Sequence, residues 1–293
     1  MKTSRWLGIF RGVLIAVALS RCTAGVHQEP FSADALAAQM QRRPVVLLGE
    51  IHDNVEQHAV RAQALAHLLR AGARPALAFE QFDRQAQGDI DRVSNQAPAA
   101  GVDRVDQLVA LGDPRWNWTL YRPFLELAVQ YQLRIVAANL ARADAMRVSK
   151  EGFGALFDPA EQHQLGLDAL PADLLLAQQQ AVDEGHCHQM PPSELPALAR
   201  AQIARDATLA QSIRPYLQGG VVLLTGNGHV RRDIGVPRFL PAQERQRVIS
   251  IALLEHEEAA DPVLAGVYDV VFRTTVQGRP DPCEQLRRTR PSQ

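Results

Sequence analysis

The chain reads as an α/β protein: a mostly parallel central sheet flanked by helices, with a helix-rich insertion before the last strands. Three observations predict this. Short apolar runs recur from Val45 to near the C-terminus. Helix-length segments separate them, so successive strands need crossover connections and lie parallel. The runs are almost continuously apolar, as strands covered on both faces are.

Ser32–Met40 reads as a short lead-in helix, and Val45–Leu48 as the first strand. Gly49, Glu50, Ile51, His52, Asp53 and Asn54 follow at once. Asn54 with Gln57 three residues on has the pattern of a capping box, so a helix starts there. Val55, Ala59, Ala62, Leu65, Ala66 and Leu69 recur at helical spacing and predict its buried face. Gly72 ends it. Ala76–Phe79 is the second strand, ending on Glu80. A polar helix around Arg84–Ser94 and a loop rich in Ala, Pro and Gly come next. Trp116, Trp118 and Tyr121 open a helix that runs to Gln132. Arg134–Ala137 is the third strand, ending at Asn139. The insertion spans Ala141–Leu217, broken at Gly152, Pro159, Pro171 and Gly185–Pro192. Val221–Leu224, Arg247–Leu253 and Tyr268–Arg273 complete the sheet. Residues 25–278 are read as a single domain and 279–293 as a flexible polar tail.

Hydrophobic residues make up 46% and charged residues 22%, an ordinary globular balance. No basic block or aromatic-basic stripe occurs, which excludes nucleic acid as an expected partner. Lys2, Arg5 and Arg11 precede the apolar stretch Gly12–Leu19, so residues 1–24 read as a secretory signal peptide. The stretch is shorter than the roughly 20 apolar residues of a membrane span. Leu19-Ser-Arg-Cys22 resembles a lipobox, with Arg21 where a small residue belongs. Cys22-Thr-Ala24 equally suits ordinary signal peptidase. The protein is thus expected on the periplasmic side, either soluble or lipid-anchored to the outer membrane through Cys22. Both cuts remove Lys2, Arg5, Arg11 and Arg21 and no acid, taking the formal net charge of −1 down by four. Cys187 and Cys283 then remain, and either pair in an oxidising compartment or leave Cys187 free in a loop.

In open parallel sheets ligands bind beyond the carboxyl ends of the strands. Glu50, His52, Glu80 and His229 all fall there, with Asn139 and Asn227 in comparable places. Glu50 and His52 are two apart, so an extended backbone points both the same way. One composite site is predicted. On a hydrolytic reading, Glu50 or Glu80 orients water, His52 or His229 moves protons, and the amides around Asn227 meet a developing oxyanion. The alternative is four buried polar groups that satisfy one another.

Gly185-His-Cys-His-Gln-Met190 mixes imidazole, thiol and thioether donors suited to copper, zinc or haem iron, His186 among them. The alternatives are a surface loop with incidental histidines, or a disulfide through Cys187. Trp116, Trp118 and Tyr121 cluster in a chain with only 5% aromatics. They either wall an apolar pocket, with a phenolate able to ligate ferric haem, or pack the core. Arg205-Asp206 reads as a helix-surface ion pair. Arg231-Arg232 reads as solvated surface, or as a grip on an anion such as a propionate.

Taken in order, Leu48-Gly-Glu-Ile-His-Asp-Asn54 with His58, Phe79-Glu80, Trp116-Asn-Trp118 through Tyr121, Asn139, His186-Cys187 through Met190-Pro191, Arg205-Asp206 and Gly226-Asn-Gly-His229 through Gly235-Val-Pro237 resemble the ChaN-like family of haem-binding uptake proteins. That family lies in the Tiki, TraB and erythromycin-esterase superfamily. The resemblance implies an α/β fold and a membrane-anchored role in haem acquisition, with a receptor or transporter of haem as partner. It also implies two haems held between the subunits of a homodimer, with tyrosine-type ligation. Tyr121 matches a motif position, while Tyr131, Tyr216 and Tyr268 are further candidates. The superfamily implies instead ester or peptide hydrolysis at Glu50, His52, Glu80 and His229.

Overall fold

The computed structural model describes residues 27–29, 31–96, 103–255, 266–281, 283, 284 and 287. The expected signal peptide lies outside them. Seven strands form one sheet: β1 (His27–Glu29), β2 (Val45–Leu48), β3 (Ala76–Asp83), β4 (Ile135–Asn139), β5 (Val221–Leu224), β6 (Val248–Glu255) and β7 (Val270–Thr274). Their order is β1-β7-β6-β2-β5-β3-β4, and every pairing is parallel. The α/β expectation holds, and the sheet is parallel throughout the described residues. β1 has no apolar run and was not legible as a strand; it forms by pairing with β7.

Ten α-helices accompany the sheet among the described residues: α1 (Ala33–Met40), α2 (Val55–Arg70), α3 (Gln87–Asn95), α4 (Arg104–Val109), α5 (Trp118–Gln130), α6 (Arg142–Glu151), α7 (Pro159–Leu165), α8 (Ala172–Gly185), α9 (Leu195–Ile213) and α10 (Asn227–Val230). Residues of α1–α5 join one apolar core on one face of the sheet, and residues of α6–α9 join a second core on the other. Central strands therefore face protein on both sides. All four residues of β2 are at most 1% exposed. Each such side chain contributes up to roughly 1.5–3 kcal/mol of burial free energy.

β2 and β3 lead into helices of the α1–α5 face, whereas β5, lying between them, leads toward the other face. The chain thus diverges at the carboxyl ends of these three neighbours, the place where a crevice opens in such sheets. The register Leu48↔Leu224↔Phe79 sets Gly49-Glu50, Thr225-Gly226 and Glu80 side by side. β3 runs past Glu80 to Asp83 through an irregularity against β4. The outer side of β4 is covered by one side chain. Gln87 accepts from the Ala137 N–H (2.8 Å) and donates to the Ile135 carbonyl (3.1 Å), as a further strand would.

Two details of α2 depart from the sequence reading. Its buried face is Gln57, His58, Arg61, Ala62, Ala64, Leu65, Leu68 and Leu69, and Val55 is 57% exposed. The first two turns rotate polar residues inward because Glu50 lies beneath them. Asn54 does cap the helix, accepting from the Gln57 N–H at 3.0 Å. The Gln57 side chain instead accepts from the Ile51 N–H and donates to Thr274, because the Asn54 N–H is already bound to the Ile51 carbonyl.

Cys187 and Cys283 form a disulfide, joining the loop after α8 to the C-terminal segment. Arg279, at the start of the predicted loose tail, donates to both carboxylate oxygens of Glu255. No helix among the described residues is long and apolar enough to cross a membrane.

Candidate functional site

Glu50 is almost wholly buried and carries the densest contacts of the site. Arg61, itself 0% exposed, forms an ion pair with its Oε2. The Tyr121 hydroxyl donates to Oε1, and the His52 Nδ1 lies 2.9 Å from the same oxygen. The i, i+2 reading of Glu50 and His52 is thus correct: both side chains turn the same way. Arg61 also donates to the Leu48 carbonyl at 3.0 Å, which fixes the guanidinium at the strand end. Burial lowers its pKa to about 10, so it remains a cation at neutral pH.

His58 packs edge-on against Tyr121, and its Nε2 donates to the His52 carbonyl at 3.1 Å. Burial pulls its pKa down to about 4, so it is neutral. Burial likewise pushes the Tyr121 phenol up, keeping it protonated. Tyr121 is 0% exposed and its hydroxyl is spent on Glu50. The expectation that it ligates haem iron is corrected: it is a buried donor that fixes a carboxylate.

On the far side of β5, Glu80 accepts from Thr225 Oγ1 (2.6 Å) and from the Gly226 N–H (2.9 Å). His229 stands between two carboxylates, with Nδ1 2.7 Å from Asp206 and Nε2 3.5 Å from Glu80. Burial opposes charge on this imidazole, but Asp206 and then Glu80 outweigh it and raise its pKa to about 10. Burial also opposes ionisation of Glu80, yet the charge of His229 holds its pKa well below the ordinary carboxylate range. His229 is therefore an imidazolium, and Asp206 is a buried partner, 2% exposed, rather than half of a surface pair. Asn227 pairs with Leu253 through both side-chain atoms, like an added strand residue. Gly49 is needed beneath it, since a Cβ there would lie 2.3 Å from Asn227 Oδ1. Two of the amides expected to meet an oxyanion are committed: Gly226 N–H to Glu80 and Asn227 N–H to the Glu50 carbonyl.

Glu50, His52, Glu80 and His229 thus do converge. A Cβ at Gly226 would lie 2.9 Å from the His52 ring and 3.9 Å from Glu80, so glycine is what lets the two halves close. His52, Glu80 and His229 border a cleft of about 390 Å³ whose other walls include Trp116, Asn139, Arg142 and Arg205, and Glu50 lies buried behind His52. Trp116 meets the His52 ring edge-on at 4.8 Å. His52 is the exposed member, with 45% of its side chain accessible. Trp118 does not line the cleft. It packs on Phe82 and Tyr121 and donates to the Asp113 carbonyl. Its expected role as a cofactor wall is corrected to core packing. His186 lies apart from the strand ends, in a side cavity with Val182 and Leu198, and its Nδ1 donates to the Val182 carbonyl. Arg231 and Arg232 pair with Asp233 and Asp269. Among the described residues, no group of three or more His, Cys, Asp or Glu side chains is arranged to hold a metal ion.

The family model described as haem-binding uptake, Tiki superfamily, ChaN, matches residues 36–240, which include every residue of this cleft. The chain belongs to the ChaN family. Among solved structures, it is similar to ChaN of Campylobacter jejuni, described as binding haem cofacially. The likeness covers 82% of this chain and 91% of that one, at 18% identity and a TM-score of 0.63. At that identity it establishes the shared fold. An erythromycin esterase mutant in its open conformation is more distant: 14% identity, 76% of this chain, 72% of that one and a TM-score of 0.44. No curated protein matches the chain.

Arg61 and Asp206 are the residues of this site that sequence reasoning missed or misplaced. Both carried a usable signal. Arg61 has Ala64 and Leu65 three and four residues on, and Asp206 has Ile203, Leu209 and Ala210 at the same spacings. A charge flanked so on its own helical face is on the buried stripe.

Proposed function

We propose that this chain binds haem at the strand-end cleft, with His52 meeting the iron, as the exported haem-carrying component of a haem or iron uptake system. The observation that carries this reading is the state of His52. Its Nδ1 is held by a buried carboxylate, its ring is braced by Trp116, and its other nitrogen, at the cleft, is uncommitted among the described residues. A ligating imidazole has this second-shell support: the far nitrogen is fixed by a carboxylate, which sets the tautomer and orientation. The other donors at the strand ends are spent. His229 is charged on both sides, His58 is buried, and Tyr121 is committed to Glu50. Haem supplies the iron-centred absorbance and redox chemistry; the chain's own residues bind and orient it.

The cleft is small and polar, which favours holding one edge of a porphyrin and leaving a face open. An open face suits a carrier that hands its cargo to a receptor or transporter, and it leaves room for a second protomer. The Cys187–Cys283 bridge supports residence in an oxidising compartment, as the leader reading of residues 1–24 implies. A hydrolytic reading is left with His52 as its base, since both carboxylates are saturated and His229 carries its proton, and the Gly226 and Asn227 amides are spent within the fold.

Titration of the purified protein with hemin is expected to give a saturable Soret band, which His52→Ala abolishes or shifts. A wild-type spectrum identical to free hemin at every ratio would refute haem binding. An unchanged band in His52→Ala would remove His52 as ligand.

A further inference from the structure

The amino ends of β2, β5 and β3 form the rim opposite the strand-end cleft. The register Val45↔Val221↔Ala76 aligns the three entries. β2 is preceded by Arg43-Pro44 and β3 by Arg74-Pro75, so the same dipeptide leads into both outer strands. β5, between them, is preceded by Gly219-Gly220. The two arginines therefore flank a floor without side chains, their backbones roughly 10 Å apart, which is two strand spacings. The result is a recess of about 560 Å³, lined also by Arg42, Met40, Leu68 and Ala71. A Cβ at Gly219 would meet nothing within 4 Å, so the space above the floor is open.

No acid lines this recess. Arg42, Arg43, Arg70 and Arg74 are exposed, and none pairs with a carboxylate among the described residues. Their hydrogen bonds go to neutral acceptors. Arg70 donates to the Ala66 carbonyl and Arg74 to the Leu69 carbonyl, both in the last turns of α2. Arg74 also donates to the Ala73 carbonyl and lies over the Tyr131 ring. The preference of helix carboxyl ends for cations accounts for Arg70 and Arg74. It does not account for Arg42 and Arg43, which donate to the Gln39 side chain and the Arg42 carbonyl. Elsewhere on the same rim the arginines are neutralised: Arg134, before β4, by Asp91, and Arg247, before β6, by Glu244. A chain of formal net charge −1 thus gathers uncompensated positive charge around one recess, and those charges repel until an anion joins them.

We propose that Arg42, Arg43 and Arg74 dock this rim on the phosphate groups of an anionic phospholipid surface. A membrane presents phosphates as a plane, and segments that end level across adjacent strands present guanidinium groups in the same way. The guanidinium fork takes phosphate oxygens two at a time. The leader read in residues 1–24 brings the chain to such a surface. Docked so, the amino rim faces lipid and the cleft at the carboxyl ends faces away from it, open to solvent. The inference stands apart from the haem reading, since it needs no ligand in the cleft.

The test is co-sedimentation of the full chain with vesicles of phosphatidylcholine alone and of phosphatidylcholine mixed with phosphatidylglycerol. The neutral vesicles measure whatever the apolar leader contributes, so the excess on anionic vesicles reads the arginines. Each arginine close to an anionic leaflet strengthens binding about fivefold. Arg42→Ala combined with Arg43→Ala is therefore expected to cut the excess about 25-fold, and Arg42→Lys combined with Arg43→Lys to keep most of it. Both positions are exposed, and a thermal melt verifies the fold. Arg122→Ala combined with Arg147→Ala removes the same charge from arginines already paired with acids, and is expected to change the excess by less than about twofold. No excess for wild type on anionic vesicles, or an equal loss in the two alanine variants, overturns the proposal. So does inorganic phosphate that raises the melting temperature of wild type but not of the Arg42/Arg43 alanine variant while anionic vesicles show no excess, since the recess then holds a free anion.

Discussion

Replacing Arg61 by methionine tests the buried frame behind His52. Arg61 and Glu50 are both 0% exposed at their side chains, and they are directly paired. Methionine fills much of the same volume but leaves the Glu50 carboxylate with Tyr121, His52 and the neutral His58 ring, 3.6 Å away, and no cation beside it. Removing one partner of a buried pair costs about 3–5 kcal/mol, because the surviving charge stays desolvated. Loss of the bond to the Leu48 carbonyl adds about 1 kcal/mol. Against a total stability of roughly 5–15 kcal/mol, the variant should fold but sit near the margin. Urea unfolding followed by circular dichroism reads this as a midpoint lowered by about 1–3 M. Adding Glu50→Gln should recover a large part of the loss, since a neutral pair no longer buries an uncompensated charge. A loss below about 1 kcal/mol in Arg61→Met, or no recovery in the double variant, would refute the frame as described.

Two further outcomes follow from the same geometry. The His229 pKa, raised to about 10 from 6.5, makes its contribution to stability complete below pH 6.5 and lost as pH rises toward 10. The melting temperature should therefore fall across that window, and Asp206→Asn, which removes the nearer carboxylate, should flatten the fall; equal slopes in the two proteins would exclude the ion pair. A Cβ at Gly112 would lie 1.7 Å from the Trp118 ring, so Gly112→Ala should cost about 1–3 kcal/mol. Tryptophan fluorescence and melting together would read this, and an unchanged spectrum with unchanged stability would contradict the packing of Trp118.

What the sequence revealed follows from how local each signal is. The strands β2 and β5 stand out because both faces are covered and every residue is apolar. Glu50 and His52 could be paired because an extended chain fixes their relation without any knowledge of the fold. Their meeting with Glu80 and His229 was inferred from topology, which places parallel strand ends on one rim. Arg61 and Asp206 were harder, since their partners come from other elements and a mid-helix charge looks solvated by default. Tyr121 and Trp118 shared a motif with Trp116, yet only Trp116 faces the cleft; the helix turns the other two inward, and side-chain direction is set by packing rather than by spacing. β1 left no trace because its strand character comes from β7 alone. The Cys187–Cys283 bridge joins positions 96 residues apart, a proximity that only the folded chain creates.

The Gln87 carboxamide on β4 has a bearing on assembly. By occupying the outward amide and carbonyl of Ala137 and Ile135, it withholds the groups through which a neighbouring molecule would extend the sheet. Self-association across that border would first have to pry this side chain loose, so any twofold partner is steered to helical or cleft-side surfaces instead.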